Sequence, residues 1–175
     1  MTASESDIIP LVIVGYGRPI SVNFIPPLLE GTPYRMVSSL DLVSSREPFR
    51  YSAHNMGVVL ETLHPRPKAF VVGIAVDPSY CEEMEKVWNS YVENVLKPES
   101  ENGEWEKNAF VPLPRTHAVD PKQVTRPPAN IGWEAEMFRQ LDSVFRPEEL
   151  DKGNHKMVPE NSEQVEVFGA LESDV

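Results

Sequence analysis

Four runs of the sequence are apolar at nearly every position rather than at every second one. They are the stretches 9–17 (IPLVIVGYG), 34–40 (YRMVSSL), 69–76 (AFVVGIAV) and, more weakly, 109–114 (AFVPLP). Strands of this kind are buried on both faces, which is typical of a parallel sheet that helices cover on two sides. The runs therefore predict a short parallel sheet, and they constrain the fold more than any other feature of the chain.

A segment that can form a helix follows each apolar run. These segments are ISVNFIPPLLEG, AHNMGVVLETLH, SYCEEMEKVWNSYVENVL and GWEAEMFRQLDSVF. Alternation of strand and helix implies right-handed crossovers, and the doubly wound rule gives the strand order 2-1-3-4. We expect a three-layer α/β domain, Rossmann-like or flavodoxin-like, with about four parallel strands and helices on both faces. Pro26 and Pro27 predict a late start or a kink in the first helix.

The length of the chain suits one domain. At 175 residues it can bury a single core, which we assign to residues 8–146. Residues 1–7 are expected to be a flexible N-terminus. The last 29 residues, 147–175, contain eight acidic residues and two lysines, so we expect an acidic, flexible tail.

Charge and cysteine content bear on partners and location. The formal net charge is −11 at pH 7, which repels polyanions and argues against nucleic acid as a partner. Cys81 is the single cysteine, and the start MTASESDII resembles no secretory signal. No apolar run approaches the roughly 20 residues of a membrane span, so no membrane partner is expected. These features predict a cytoplasmic protein.

The turn after the first apolar run partly matches a dinucleotide-binding fingerprint. Gly15 and Gly17 fit the pattern G-x-G-x-x-G, whereas Ile20 stands where the third glycine belongs. Arg18 follows the second glycine, and Asp41 follows the second run, where an acid could hold ribose hydroxyls. Two interpretations stay open. The turn binds NAD or NADP through Gly15, Gly17, Arg18 and Asp41, or it is a tight exit from a buried strand.

Candidates for catalysis are few. Cys81 is expected in the first turn of the third helix, where the helix dipole lowers a thiol pKa, with His54 or His117 as its base. Packing is the alternative role for this cysteine. Asp77 ends the third run at the carboxyl edge of the sheet, as a ligand contact or as a helix cap. The histidines have no metal-ligand spacing, so no metal site is proposed.

The layout of the chain resembles that of a known group of proteins. The order LVIVGYGRPI, AHNMGVVLETLHPRPKAFVVGIAV, VPLPRT and IGWEAEMFRQL, with a proline-rich bridge before the last helix, is similar to small Rossmann-like fungal proteins, which are mostly uncharacterised. The similarity covers roughly residues 8–146. It implies a compact three-layer, NAD(P)-binding-domain-like fold and a role in fungal metabolism, secondary metabolism included. It carries no catalytic residues to this chain.

Three functional hypotheses follow. The first is a small Rossmann-like protein that binds a small molecule and has a degenerate nucleotide-binding turn; its cofactor is unknown, with NAD or NADP as candidates. The second is a non-catalytic interaction or scaffold protein that binds a protein partner through the acidic tail. The third is a minor pathway enzyme that uses Cys81.

Overall fold

The computed structural model describes residues 8–113 and 132–150. In these ranges four strands form one parallel sheet: β1 Ile9–Gly15, β2 Tyr34–Asp41, β3 Ala69–Val72 and β4 Ala109–Pro112. The strand order is β2-β1-β3-β4, and all three pairings are parallel. The predicted α/β class and order 2-1-3-4 are confirmed, and the arrangement is that of a Rossmann-like or flavodoxin-like fold.

Helices connect the strands and cover the sheet. They are α1 Arg18–Leu29, α2 Ala53–Thr62, α3 Cys81–Tyr91, α4 Lys97–Glu99, α5 Trp133–Phe145 and α6 Pro147–Leu150, with a π-helical turn Val92–Leu96 between α3 and α4. The four residues of α6 are the first four of the predicted acidic tail. None of the helices in the described ranges is long and apolar enough to cross a membrane.

Two hydrophobic cores lie on opposite faces of the sheet. On one face, α1 and α5 bury Ile25, Leu29, Met137 and Leu141 against β1, β3 and β4. The other face is covered by α2 and α3, whose buried side chains include Met56, Leu60, Met84 and Trp88. Since alternate residues of β1 enter the two cores, both faces of this strand are buried, as its unbroken apolar run predicts.

Helix α1 corrects one expectation. It begins directly at Arg18 and contains both Pro26 and Pro27, so the predicted late start is wrong, while the alternative, a kink, stays a prediction. The prolines lack the N–H groups that would bond to the carbonyls of Val22 and Asn23. Both of those residues are exposed, and water can therefore satisfy the carbonyls.

The two central strands end earlier than their apolar runs. Strand β1 stops at Gly15 and β3 stops at Val72, although the runs continue to Gly17 and Val76. Residues 73–76 form a tight turn in which the N–H of Val76 donates to the carbonyl of Gly73 at 3.0 Å. The ends of the two central strands therefore open into loops side by side at the carboxyl edge of the sheet.

Candidate functional site

A partly open cavity lies at the carboxyl edge of the sheet, between the ends of β1 and β3. Its volume is about 60 Å³. It is bounded by the end of β1 and the first turn, by the loop after β3, and by helices α1 and α5. Its lining includes Gly15, Gly17, Ser21, Gly73, Ala75 and Trp133. In open α/β sheets ligands bind at this position, where the strand order reverses. Two of the candidate site residues, Asp77 and Cys81, do not line this cavity.

Two glycines leave bare backbone beside this cavity. A Cβ atom on Gly15 would lie 2.7 Å from the hydroxyl oxygen of Ser21, and one on Gly73 would lie 3.0 Å from the carbonyl oxygen of Val14. The N–H of Gly73 also donates to that carbonyl at 2.8 Å. Gly15 therefore serves the close approach of α1 to β1, while Gly73 allows the ends of β1 and β3 to meet.

Trp133 covers another side of the cavity. Gly132, in the left-handed conformation with φ of 69°, precedes it and directs the chain into α5. Trp133 is only 7% exposed, and its indole N–H is buried without an acceptor in the described part of the protein. An unpaired buried donor costs about 1–3 kcal/mol, so the site has unused hydrogen-bonding capacity next to an apolar space.

Asp41 is the hub of the loop that follows β2. Its side chain is fully buried, and six donors converge on it. The N–H groups of Val43, Ser44 and Ser45 donate to Oδ1 at 3.0, 2.8 and 2.9 Å. Oδ2 accepts from the N–H of Arg18 at 2.9 Å and from the hydroxyls of Ser44 and Ser45 at 3.1 and 2.6 Å.

This network sets the ionisation of Asp41. Burial alone raises the pKa of a carboxyl group, but the hydrogen bonds from Ser45 and Ser44 outweigh it and lower the pKa of Asp41 below its ordinary value. Asp41 is therefore an internal anion that holds the β2 loop against the start of α1. Its predicted contact with a ribose stays a prediction.

The same network occupies much of the N-terminus of α1. The N–H of Arg18 donates to Asp41, and Pro19 has no N–H to offer. At most the N–H groups of Gly17 and Ile20 are left for an anion at this helix end. A pyrophosphate would thus find fewer donors than a complete fingerprint provides, and it would lie close to the buried carboxylate.

Gly17 differs from the other two glycines of the site. Its backbone is extended, with φ −135° and ψ 135°, a conformation open to any residue. A Cβ atom there would meet the Ser44 hydroxyl at 3.6 Å and Pro19 Cδ at 3.9 Å, which are ordinary contacts. Neither backbone conformation nor packing within the described residues requires glycine at this position.

A second depression lies on the other side of the first turn. Its lining includes Arg18, Val22, Ser44, Arg46 and Phe49. The guanidinium of Arg18 lies over the ring of Phe49, with Cζ 4.8 Å from the ring centroid. We call this depression the arginine groove. It adjoins the cavity because Gly17 borders the cavity and Arg18 borders the groove.

The structure places Asp77 and Cys81 outside the lining of the cavity. The Asp77 carboxylate accepts from the N–H of Ser79 at 2.9 Å, so its predicted role as a cap is confirmed for the short turn that precedes α3. Cys81 is half-buried at the start of α3, and burial raises its pKa, assisted by Asp77 and Glu85. The prediction that the helix dipole lowers the pKa of this thiol is therefore wrong. His117 lies outside the described residues.

Several residues of the site were not predicted. Gly73 was assigned to the interior of a strand, although an isolated glycine in a strand pattern is a signal for a bulge or a close approach of another backbone. Gly132 and Trp133 begin the last predicted helical segment, and neither was among the predicted site residues. The DLVSS sequence at Asp41 carries an Asx-turn signal that accounts for its inward side chain.

Comparisons with known proteins found no match: no family model, no curated protein and no solved structure is significantly similar to this chain. Within residues 8–113 and 132–150, no group of three or more histidine, cysteine, aspartate or glutamate side chains is arranged to hold a metal ion. The structural features that bear on function are therefore those at the carboxyl edge of the sheet.

Proposed function

We propose that this chain is a small-molecule binding protein with a Rossmann-like fold, whose ligand places one end in the cavity between β1 and β3. The observation that carries the proposal is the apolar cavity at the reversal of strand order, which is lined in part by Trp133, whose buried indole N–H has no acceptor among the described residues. Ligand sites in proteins are typically apolar clefts with a few polar groups that fix orientation.

The dimensions of the cavity limit what enters it. A volume of about 60 Å³ is far below the roughly 300–1,000 Å³ of a pocket that encloses a whole ligand. It accommodates about four water-sized groups. The ligand therefore inserts a small apolar end, with an oxygen or nitrogen acceptor for Trp133, and the remainder lies outside the cavity.

The geometry of the first turn favours a degenerate nucleotide-binding turn over a complete phosphate-binding site. Asp41 engages the N–H of Arg18, and proline follows, so α1 offers little to a pyrophosphate. NAD and NADP remain candidate ligands, to be tested with others. A role in fungal metabolism rests on the resemblance in segment order alone.

A thermal-shift panel tests the proposal. It contains NAD, NADP, FMN, nucleotides, S-adenosylmethionine and a set of small aromatic and branched-chain carbonyl compounds. A ligand at a hundred times its Kd adds about 2.7 kcal/mol to stability. We expect at least one compound to raise the melting temperature of the wild-type protein.

The matched variants are Ala75→Leu, which fills the cavity, and Gly57→Ala, which changes α2 far from it. A Cβ atom on Gly57 meets nothing within 4 Å. Ala75→Leu should abolish the shift while Gly57→Ala preserves it. The absence of any shift in the wild type, or equal shifts in all three proteins, would contradict binding in the cavity.

A further inference from the structure

The ion pairs of this acidic protein leave the arginine groove out. Six basic side chains in the described ranges form ion pairs: Arg66, Lys68, Lys86, Lys97, Arg139 and Arg146. Arg18 and Arg46, which both line the groove, form none within those ranges. In a chain with a net charge of −11, two cations that line one groove and have no carboxylate partner in residues 8–113 and 132–150 are available to an external anion.

Arg18 is held in place at both ends. Its backbone N–H donates to Asp41 at 2.9 Å, and its guanidinium lies over the ring of Phe49. Phe49 is itself fixed, since its carbonyl accepts from the N–H of Asp41 at 3.0 Å and its own N–H donates to the carbonyl of Arg46 at 2.9 Å. Much of the entropy cost of ordering a long side chain is thus met before a ligand arrives.

One acidic residue, Glu47, also lines the groove. Its Oε2 atom accepts a hydrogen bond from the side-chain amide of Asn55 at the start of α2. The hydroxyls of Ser44 and Ser45 donate to Asp41, and so they can offer a ligand only their acceptor lone pairs. Donors for an anion therefore come from the two guanidinium groups and from the side-chain amide of Asn23, which also lines the groove.

We propose that the arginine groove binds a phosphoryl group of the ligand whose other end enters the cavity. This inference rests on the proposed function and names the chemistry of the second half of the ligand. Two planar guanidinium groups match the oxygens and the double charge of a phosphate monoester better than those of a single carboxylate. Gly17 lines the cavity and the next residue, Arg18, lines the groove, so a ligand that occupies both would cross the first turn beside Gly17, where no side chain projects.

The test is calorimetric titration of the full chain with inorganic pyrophosphate and inorganic phosphate, with acetate as the carboxylate probe. Low ionic strength is used, because salt screens exposed charges. The variants are Arg18→Gln and Arg46→Gln, and the control is Arg35→Gln. Arg35 is also exposed and without an ion pair in the described ranges, but it lies near the amino end of β2, at the opposite edge of the sheet.

We expect pyrophosphate to bind the wild type, and each groove variant to lose about tenfold in affinity. Arg35→Gln should keep wild-type affinity, and Ala75→Leu should bind pyrophosphate normally because the anion does not enter the cavity. No binding of either phosphate probe, an equal loss in Arg35→Gln, or acetate binding as tight as that of phosphate would overturn the inference. If neither phosphate probe binds but a panel compound still binds the wild type and not Ala75→Leu, the proposed function stands and only the phosphoryl site is wrong. If no panel compound binds either, both proposals are wrong.

Discussion

The loops after β2 and β3 leave the same edge of the sheet, on either side of the first turn, yet they are built in opposite ways. In the β2 loop, the buried carboxylate of Asp41 is matched by six donors. The β3 loop instead presents glycine backbone and an apolar cavity, against an indole N–H that has no acceptor in the described part of the chain. The buried carboxylate of the β2 loop is thus satisfied by its own surroundings, whereas the buried donor beside the β3 loop has no acceptor among the described residues.

Asp41→Asn should have the largest effect on stability, because it disrupts the hydrogen-bond network that surrounds this buried carboxylate. The amide offers one oxygen instead of two and points its NH₂ group at donors. We expect the free energy of unfolding to fall by about 3 kcal/mol. Asp77→Asn is the matched control, since Asp77 caps one exposed turn, and it should cost about 1 kcal/mol or less. Urea denaturation measures both, and equal losses would remove the distinction between the two carboxylates.

The pH dependence of stability tests the same carboxylate without assuming how asparagine packs. Because the folded-state pKa of Asp41 is lowered from 3.8, its stabilisation is complete above that value and is lost as pH falls through the lowered pKa. The difference in unfolding free energy between wild type and Asp41→Asn should therefore be constant near neutral pH and shrink below about pH 4. A difference that grows on acidification has the wrong sign for this account.

On the β3 side, Gly73→Ala should destabilise the protein by about 1–3 kcal/mol, because its methyl group meets the backbone carbonyl of Val14. Gly57→Ala, in the interior of α2, should stabilise it by up to about 1 kcal/mol. Thermal unfolding of the two variants gives opposite signs if Gly73 marks a close approach of two strands. Stabilisation by both substitutions would mean that the strand ends can separate at little cost.

Trp133→Phe should have the smallest effect on folding. It removes an unpaired donor and little apolar surface, so the unfolding free energy should change by less than about 1 kcal/mol. The affinity of the best panel ligand should nevertheless fall about tenfold, because its acceptor loses a partner. A loss of 3 kcal/mol in stability with unchanged affinity would show that this tryptophan serves only the core.

Much of the fold could be predicted because its signals are local. Runs such as 9–17 are apolar on both faces, and the alternation with helices leaves few topologies, so the order 2-1-3-4 followed. The predicted late start of α1 was wrong because the cost of a proline inside a helix depends on its surroundings. The carbonyls that lose their N–H partner can be satisfied by water where they are exposed. Exposure of Val22 and Asn23 is a property of the assembled structure, not of the dipeptide Pro26-Pro27.

The site was less predictable, because its residues meet only in three dimensions. Gly15 and Gly17 look equivalent in the sequence, but a Cβ atom on Gly15 would lie too close to the Ser21 hydroxyl, whereas one on Gly17 would make only ordinary contacts. Asp41 was expected to face a ligand, and its inward orientation depends on the hydroxyls of Ser44 and Ser45 together with the start of α1. Trp133 and Gly73 are about sixty residues apart, and no local pattern shows that both border one cavity.

The central claim is that a ligand passes over Gly17 between the cavity and the arginine groove. Titration of the best panel ligand into wild type, Gly17→Ala and Gly17→Val tests it most directly. We expect the affinity for this ligand to fall as the side chain at position 17 grows, by about tenfold or more for valine. The free energy of unfolding should stay within about 1 kcal/mol of wild type. Unchanged affinity in both variants would contradict it, because a ligand that avoids Gly17 does not join the two halves of the site.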